Sequence, residues 1–205
     1  MFREPIVKVN QYYLPEPENF RIIRDSCPYN LCKMQMSYEE CRILSLYLKL
    51  IKAERVLELG TLVGCSTVWI ANSLTGDNPI VISVEKSIDH YNLAQANIAG
   101  TSFRNIINLI NAEAISVLES YIGKEVFDAI IIDAKKIEYC RYLELAKQCI
   151  RSGGLIIADN SLMIHDSLGD IADEMRKFNH IVENDPELVS IILPTISGMT
   201  IILKQ

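Results

Sequence analysis

The sequence predicts an α/β fold, in which a mostly parallel sheet carries helices on both faces and ends in an antiparallel hairpin. Short apolar runs alternate with helical patterns from residue 55 to residue 159, which is typical of consecutive βαβ units. Two more strand-like runs, at residues 187–194 and 199–205, are joined by a turn too short for a crossover helix. Because a parallel pair needs a long crossover, we expect these two runs to form a hairpin at the sheet edge.

Composition limits the classes of function. The chain has 205 residues, 49% of them hydrophobic, which suits one globular domain. Acidic residues outnumber basic ones by 26 to 20 without any Lys/Arg block, so nucleic acid is not an expected partner. No run approaches the ~18 apolar residues of a membrane span, and the first residues do not fit a signal peptide. The six cysteines form no C-x-x-C pair, and we expect a cytoplasmic protein with reduced thiols.

The predicted elements begin with an N-terminal segment that contains several prolines. We predict that residues 1–36 form an appendage that covers a domain at residues 37–205. Ser37 and Glu40 fit a capping box at the start of a helical apolar pattern. The expected strands lie at residues 55–59, 80–85, 106–111, 128–133 and 155–159, and helices between them begin near Ser66, Ser87, Glu113 and Ile137.

Two glycines, Gly60 and Gly64, lie between the first strand and a helix. Glycine there lets the backbone turn sharply beside a ligand. The spacing G-x-x-x-G differs from the G-x-G-x-x-G of dinucleotide-binding loops, which disfavours a nicotinamide-dependent (NAD) oxidoreductase. Alone, Glu58 could cap a backbone N–H and Glu85 could begin a loop. Together with the glycines and Ser66 they favour a ligand site, with Glu85 at the usual position of an acid that binds ribose hydroxyls.

Polar side chains end the fourth and fifth predicted strands. Asp133 ends the fourth, and Asp159 and Asn160 end the fifth. Strand order in a doubly wound sheet reverses beside the fourth strand, and ligands bind there. Carboxylate and amide oxygens without His or Cys suit Mg²⁺, Mn²⁺ or Ca²⁺, although each residue alone could cap a helix or form an Asx turn. Lys136 would point the same way as Asp133 and could accept a proton.

Four segments resemble, in order and spacing, the cation-dependent O-methyltransferases of the caffeoyl-CoA and catechol type: VLELGTLVGCSTVWIANSL, FDAIIIDAKKIEY, RSGGLIIADNSL and KFNHIVENDPELVSIILPTISGMTIILK. The match runs from about Met34 to Lys204. The resemblance implies a Rossmann-like class I methyltransferase fold with a seven-stranded sheet whose last strand is antiparallel. It also implies S-adenosylmethionine (SAM) as methyl donor, a divalent cation, a small aromatic acceptor with vicinal hydroxyls, and a homodimer.

The resemblance also implies roles for single residues. The cation would be held by Asp133, Asp159 and Asn160, and Lys136 would be the general base. The donor site would comprise Met34, Gln35, Glu58, Gly60, Gly64, Ser66, Glu85, Ala114 and Asp133, with Glu85 on the ribose and Ala114 beside the adenine.

The chain departs from the family pattern in two places. The last turn reads TISGM, with Ser197 where relatives commonly carry an acid, and the segment between Asn160 and Phe178 is short. We expect these changes to affect the acceptor and the closure of its pocket, and to leave the cation and donor sites untouched. They also motivate an alternative, a SAM-binding protein that has lost catalysis and has a regulatory or scaffolding role.

Overall fold

The fold is that of a computed structural model of the chain, described for residues 15–163 and 169–205. These residues contain one sheet with the strands β1 (Arg55–Leu59), β2 (Ile80–Glu85), β3 (Ile107–Asn111), β4 (Phe127–Ile132), β5 (Ile150–Asp159), β6 (Leu188–Leu193) and β7 (Met199–Lys204). The strand order is β3-β2-β1-β4-β5-β7-β6. β7 runs antiparallel to both of its neighbours and the other neighbouring strands are parallel. The predicted fold class, including the hairpin, is confirmed.

Helices cover both faces of the sheet, as the alternating pattern predicts. They are α1 (Glu18–Asp25), α2 (Tyr38–Leu50), α3 (Cys65–Ala71), α4 (Ile88–Ala99), α5 (Ala114–Ser120), α6 (Tyr139–Cys149) and α7 (Asp170–Asn184), with short 3-10 turns at Cys32–Met34 and Lys136–Glu138. One hydrophobic core joins the sheet to α1, α2, α3 and α4, and a second joins the opposite face to α5, α6 and α7. None of the described helices is long and apolar enough to cross a membrane.

Alternation along the central strands explains why two cores form. In β4, Ala129 and Ile131 face the first core, whereas Ile130 and Ile132 face the second. Successive side chains of a strand point to opposite faces, so a strand covered on both sides is apolar throughout. The same strand therefore anchors helices on both faces and holds its own carboxyl end, where Asp133 follows, in a fixed position.

The first described residues pack against α3. Phe20 is buried, with its ring centroid 4.9 Å from that of Trp69 in an edge-on arrangement. The indole Nε1 of Trp69 donates to Glu16 at 3.0 Å, and Arg24 also pairs with Glu16, at 2.8 Å. The division into an appendage at 1–36 and a domain at 37–205 stays a prediction, and residues 1–14 lie outside the described part of the chain.

The predicted capping box begins α2. The Ser37 hydroxyl accepts from the backbone N–H of Glu40 at 3.2 Å, and the Ser37 N–H donates to Glu40 Oε2 at 2.8 Å. These reciprocal bonds satisfy two N–H groups that the start of the helix would otherwise leave unpaired. They also fix the 3-10 turn that precedes α2, which forms one wall of the cleft described next.

Candidate active site

A cleft of about 1430 Å³ lies at the carboxyl ends of β1, β2, β4 and β5. The turn after β1, the start of α2 and the turn between β6 and β7 contribute to its walls. The predicted site residues that line it are Met34, Gln35, Gly60, Ser66, Glu85, Ala114, Asp133, Lys136, Asp159 and Asn160. Two others, Glu58 and Gly64, are not part of the lining.

Gly60 is required by a contact within the protein. Its φ is +99°, and a Cβ there would lie 2.1 Å from the carbonyl oxygen of Asp133. The turn after β1 therefore packs directly on the loop after β4, and only glycine permits that approach. Gly64 has φ +87° and precedes α3, and a Cβ there would lie 3.1 Å from Ile98 Cδ1. Gly64 thus serves the packing of α3 against α4.

Glu58 is 1% exposed, and hydroxyls of the chain itself pair with one of its carboxylate oxygens, whereas Oε1 has no hydrogen-bond partner among the described residues. Its Oε2 accepts from Thr67 Oγ1 at 2.5 Å and from Ser83 Oγ at 2.6 Å. Burial raises the pKa of Glu58 to about 7, although the hydroxyls around it act in the opposite direction. The side chain contacts α3 and β2 through these two hydroxyls, and its predicted role in binding the donor stays a prediction.

Glu85 ends β2 with its carboxylate held at the cleft. Its Oε2 accepts from the backbone N–H of Leu62 at 2.9 Å, and its Oε1 accepts from that of Ser87 at 2.8 Å. A carboxylate fixed by two backbone donors keeps lone pairs for hydroxyl groups of a ligand. His90, for which the sequence gave no role, also lines the cleft, with Nδ1 3.7 Å from Glu85 Oε1.

Met34 and Gln35 line the cleft from the segment before α2. Met34 is 59% exposed. Gln35 is held by a hydrogen bond from its Nε2 to the carbonyl oxygen of Arg24 at 3.2 Å. Ala114 is the first residue of α5 and lines the cleft next to Glu113.

Two aspartates meet at the ends of β4 and β5. Asp133 follows β4, and its Oδ1 lies 2.6 Å from Lys136 Nζ. Asp159 is the last residue of β5 and is 3% exposed. Burial raises the pKa of Asp159 well above its usual range, and the negative charges of Asp133 and Glu40 raise it further, against the opposing effect of Lys136. Such a site favours either a proton or a cation.

Asn160 has φ +64°, and its amide is oriented by the β6–β7 turn. Its Nδ2 donates to Ser197 Oγ at 2.8 Å, which leaves Oδ1 available as an acceptor. Backbone bonds from Ser161 and Leu162 to Gly198 and Ser197, at 3.1 and 2.8 Å, hold the same turn in place. Ser197 therefore contacts one of the residues predicted to hold a cation, and the expectation that the change at Ser197 leaves the cation site untouched stays a prediction. Because β7 pairs with β5, its turn packs on the end of β5.

The donor set fits a divalent cation. Two carboxylates and an amide oxygen are hard ligands of the kind that Mg²⁺, Mn²⁺ and Ca²⁺ take. Within the described residues no group of three or more His, Cys, Asp or Glu could hold a metal, so a cation here would depend on the amide of Asn160 as well as on the two acids.

Lys136 is held by two contacts. Its Nζ donates to Asp133 at 2.6 Å and to Tyr139 Oη at 3.0 Å, and Tyr139 in turn donates to the carbonyl oxygen of Ile132 at 3.2 Å. Burial raises the pKa of Tyr139 well above its usual range, so the phenol stays protonated. The sequence analysis gave Tyr139 no role, although the D-x-x-K-x-x-Y spacing contains it and would have pointed to it.

Comparison with known proteins agrees with this geometry. A family model described as O-methyltransferase matches residues 18–205. The chain is 36% identical over 143 residues to a catechol O-methyltransferase of Niastella koreensis, an alignment that covers 69% of this chain and 62% of the relative. It is 31% identical over 130 residues to a catechol O-methyltransferase of Mycobacterium tuberculosis, covering 63% and 58%. In both cases the match spans less than two thirds of the relative's own length.

A solved structure shares the whole architecture. The O-methyltransferase of Bacillus cereus, crystallised in complex with SAH, superposes with a TM-score of 0.87 at 25% identity, over 97% of each chain. The sheet, the cleft at its carboxyl ends and the C-terminal hairpin described above thus belong to a known methyltransferase architecture.

Proposed function

The chain belongs to the O-methyltransferase family, and we propose that it transfers a methyl group from SAM to one hydroxyl of a vicinal dihydroxy aromatic in a metal-dependent reaction. The observation that carries this proposal is the meeting of Asp133, Asp159, Asn160 and Lys136 in the same cleft as the turn at Gly60. A donor site and an acceptor site in one cleft are what a transfer between two small molecules requires.

The donor half of the cleft consists of the turn after β1, Glu85 and the start of α5. Glu85 presents a carboxylate fixed by two backbone N–H groups, which suits the two hydroxyls of a ribose. Ala114 leaves room for a flat base beside α5. The Bacillus cereus relative was crystallised with SAH, the product of SAM after methyl transfer. We assign this half to SAM.

The acceptor half contains the polar corner at the ends of β4 and β5, flanked by apolar side chains. A divalent cation bound by Asp133, Asp159 and Asn160 would act as a Lewis acid on two neighbouring hydroxyls and make one of them more acidic. Met163 and Ile196 line the cleft near this corner and offer apolar surface for an aromatic ring. The relatives named catechol O-methyltransferase support an acceptor of this class.

Lys136 is proposed to take the proton from the acceptor hydroxyl. Its Nζ is held at Asp133 and Tyr139, so the amine has a fixed position beside the polar corner. The acceptor oxygen then forms the bond to the methyl carbon while the carbon–sulfur bond breaks, and neutral SAH leaves.

The test is methyl transfer from SAM to a small panel of catechols, including a catecholic acyl thioester, with Mg²⁺, Mn²⁺, Ca²⁺ or a chelator. We expect product that depends on the metal and that is lost in Asp159→Asn while SAM binding persists. Asp173→Asn, at an exposed position of α7, is the matched control and should leave turnover unchanged. Equal product with metal and with chelator would refute the metal dependence. SAM binding without turnover of any acceptor would favour a regulatory or scaffolding protein.

A further inference from the structure

The carboxylate of Glu40 is buried at the wall of the cleft with one oxygen unpaired. Glu40 lies in the first turn of α2, is 3% exposed and lines the cleft. Its Oε2 accepts the N–H of Ser37 at 2.8 Å. Within residues 15–163 and 169–205, no donor lies within hydrogen-bonding distance of Oε1. A buried carboxylate oxygen without a partner is costly, so its retention at this position needs a reason.

The capping box does not provide that reason. A glutamine at the same position of a capping box accepts the same backbone bond, so the cap accounts for one oxygen and not for the charge. The start of a helix does favour a negative side chain. Glu39, in the same turn and only partly buried, already supplies one without lining the cleft.

The charge of Glu40 acts on the polar corner instead. The side chains of Glu40 and Asp159 line the same cleft, each is 3% exposed, and the two carboxylates are close enough to repel each other. Two of the cations that line the cleft are paired with other acids, Lys136 with Asp133 and Arg24 with Glu16. Neither pair includes Asp159 or Glu40, and a divalent cation would supply a counter-charge to both.

We propose that Glu40 is a third carboxylate of the cation site, which attracts the divalent cation across the cleft without being one of its direct ligands. This inference rests on the proposed function. The described acids do not converge closely enough for three of them to bind one metal, so Glu40 acts from outside the ligand set. There its free oxygen can accept hydrogen bonds from the hydration shell that Mg²⁺ usually retains.

The test is calorimetric titration of the full chain with MgCl₂ alone, for the wild type and for Glu40→Gln. Glutamine keeps the bond to Ser37 and removes only the charge. We expect the Mg²⁺ affinity to fall by about 10- to 100-fold, the usual effect of losing a partner outside the direct ligands. Glu39→Gln removes the same charge from the same turn outside the cleft and should change the affinity by less than about twofold, since such charges are screened.

Thermal unfolding gives a second measurement that does not depend on turnover. Without Mg²⁺, Glu40→Gln should unfold at the same or a higher temperature than the wild type, because an unpaired buried charge is removed. Saturating Mg²⁺ should raise the unfolding temperature of the wild type by more than that of the variant. A variant that is simply misfolded would unfold at a lower temperature under both conditions.

Three results would overturn the inference, and they differ in what they imply for the proposed function. If the wild type binds Mg²⁺ and Glu40→Gln binds it equally well, the inference fails and the proposed function stands. If Glu40→Gln loses affinity for SAM but not for uncharged SAH, with Mg²⁺ binding unchanged, then Glu40 serves the charge of the donor instead. If the wild type itself binds no divalent cation, the metal dependence in the proposed function fails as well.

Discussion

The side chain of Asn160 donates a 2.8 Å hydrogen bond to the hydroxyl of Ser197, a residue 37 positions further along the chain. The bond joins the end of β5 to the turn between β6 and β7. It commits the amide nitrogen of Asn160 to that turn and leaves the oxygen for the cleft. The orientation of one proposed metal ligand is thus set by a residue that departs from the family pattern.

Replacing Ser197 tests that relationship. Ser197→Ala removes the acceptor for the Asn160 amide while the backbone bonds of the turn remain, so the amide can rotate. We expect Mg²⁺ affinity, measured by calorimetry, to fall by about tenfold. Ser197→Thr keeps the hydroxyl and should restore most of the affinity. Equal Mg²⁺ affinity in Ser197→Ala and the wild type would show that the amide needs no such support.

Lys136 and its neighbour Lys135 form a matched pair for the proposed proton transfer. Both line the cleft, but Lys136 is held at Asp133 and Tyr139, whereas Lys135 is exposed and pairs with Glu138 at 2.6 Å. Lys136→Ala should lower kcat by about 10²- to 10⁴-fold, the usual contribution of a general base, with SAM affinity retained. Lys135→Ala should leave kcat close to that of the wild type. Similar losses in both variants would argue against a specific role for Lys136.

Comparison with Gly123 separates the effect of the close contact at Gly60 from the effect of its positive φ. Gly60→Ala would place a methyl group 2.1 Å from the Asp133 carbonyl oxygen at a φ of +99°, whereas Gly123 has φ +74° with nothing within 4 Å. Gly123→Ala should cost roughly 1 kcal/mol of unfolding free energy from the angle alone. Gly60→Ala should cost more than about 2 kcal/mol, and should also weaken SAM binding. Urea unfolding measures the loss of unfolding free energy, and SAM titration measures the loss of affinity. Equal losses of unfolding free energy in the two variants would show that the backbone around Gly60 moves to accommodate the methyl group.

The raised pKa of Glu58 predicts how the free energy of unfolding changes with pH. Burial raises the pKa of its carboxyl from the ordinary value of 4.5 to about 7 in the folded protein. The folded state therefore holds the proton more tightly. The resulting stabilisation is complete below pH about 4.5 and is lost as the pH rises through about 7. The total is about 3 kcal/mol, from 1.36 kcal/mol per pKa unit.

Glu58→Gln should remove this part of the pH dependence, because the amide does not titrate. Unfolding in urea at several pH values between about 4.5 and 8 gives the free energy for both proteins. Their difference isolates Glu58 from the other titrating groups, such as Asp159, as long as the two sites act independently. Parallel curves for the wild type and the variant would contradict the raised pKa.

Much of the fold could be predicted because the pattern of each strand is local. β1 and β2 have the predicted bounds, and β4 is shifted by one residue. β5 begins at Ile150, five residues before the predicted start at 155, because Arg151 to Gly154 continue the strand next to an irregularity in its pairing with β4. Gly153 and Gly154 in the sequence do not indicate a strand, so only the neighbouring β4 explains that extension.

The site could be predicted only where a side chain directly follows a strand. Asp133, Asp159 and Asn160 do, and parallel strands bring their carboxyl ends together. The roles proposed for Glu40 and Ser197 depend on contacts between elements distant in sequence, and a capping box or a turn gives no sign of them. Tyr139 could have been found from the D-x-x-K-x-x-Y spacing. Binding roles for the predicted donor and cation residues stay predictions, as do the homodimer and the cytoplasmic location.

The contact between Gly60 and the Asp133 carbonyl has a consequence for how this protein can diverge or be engineered. Since it joins the donor half of the cleft to the cation corner, a substitution on either side of it disturbs both. Met163 and Ile196 line the cleft without taking part in that contact. A library that varies these two positions should explore new acceptors at little risk to SAM binding, and a paralogue that has acquired another acceptor is expected to differ there first.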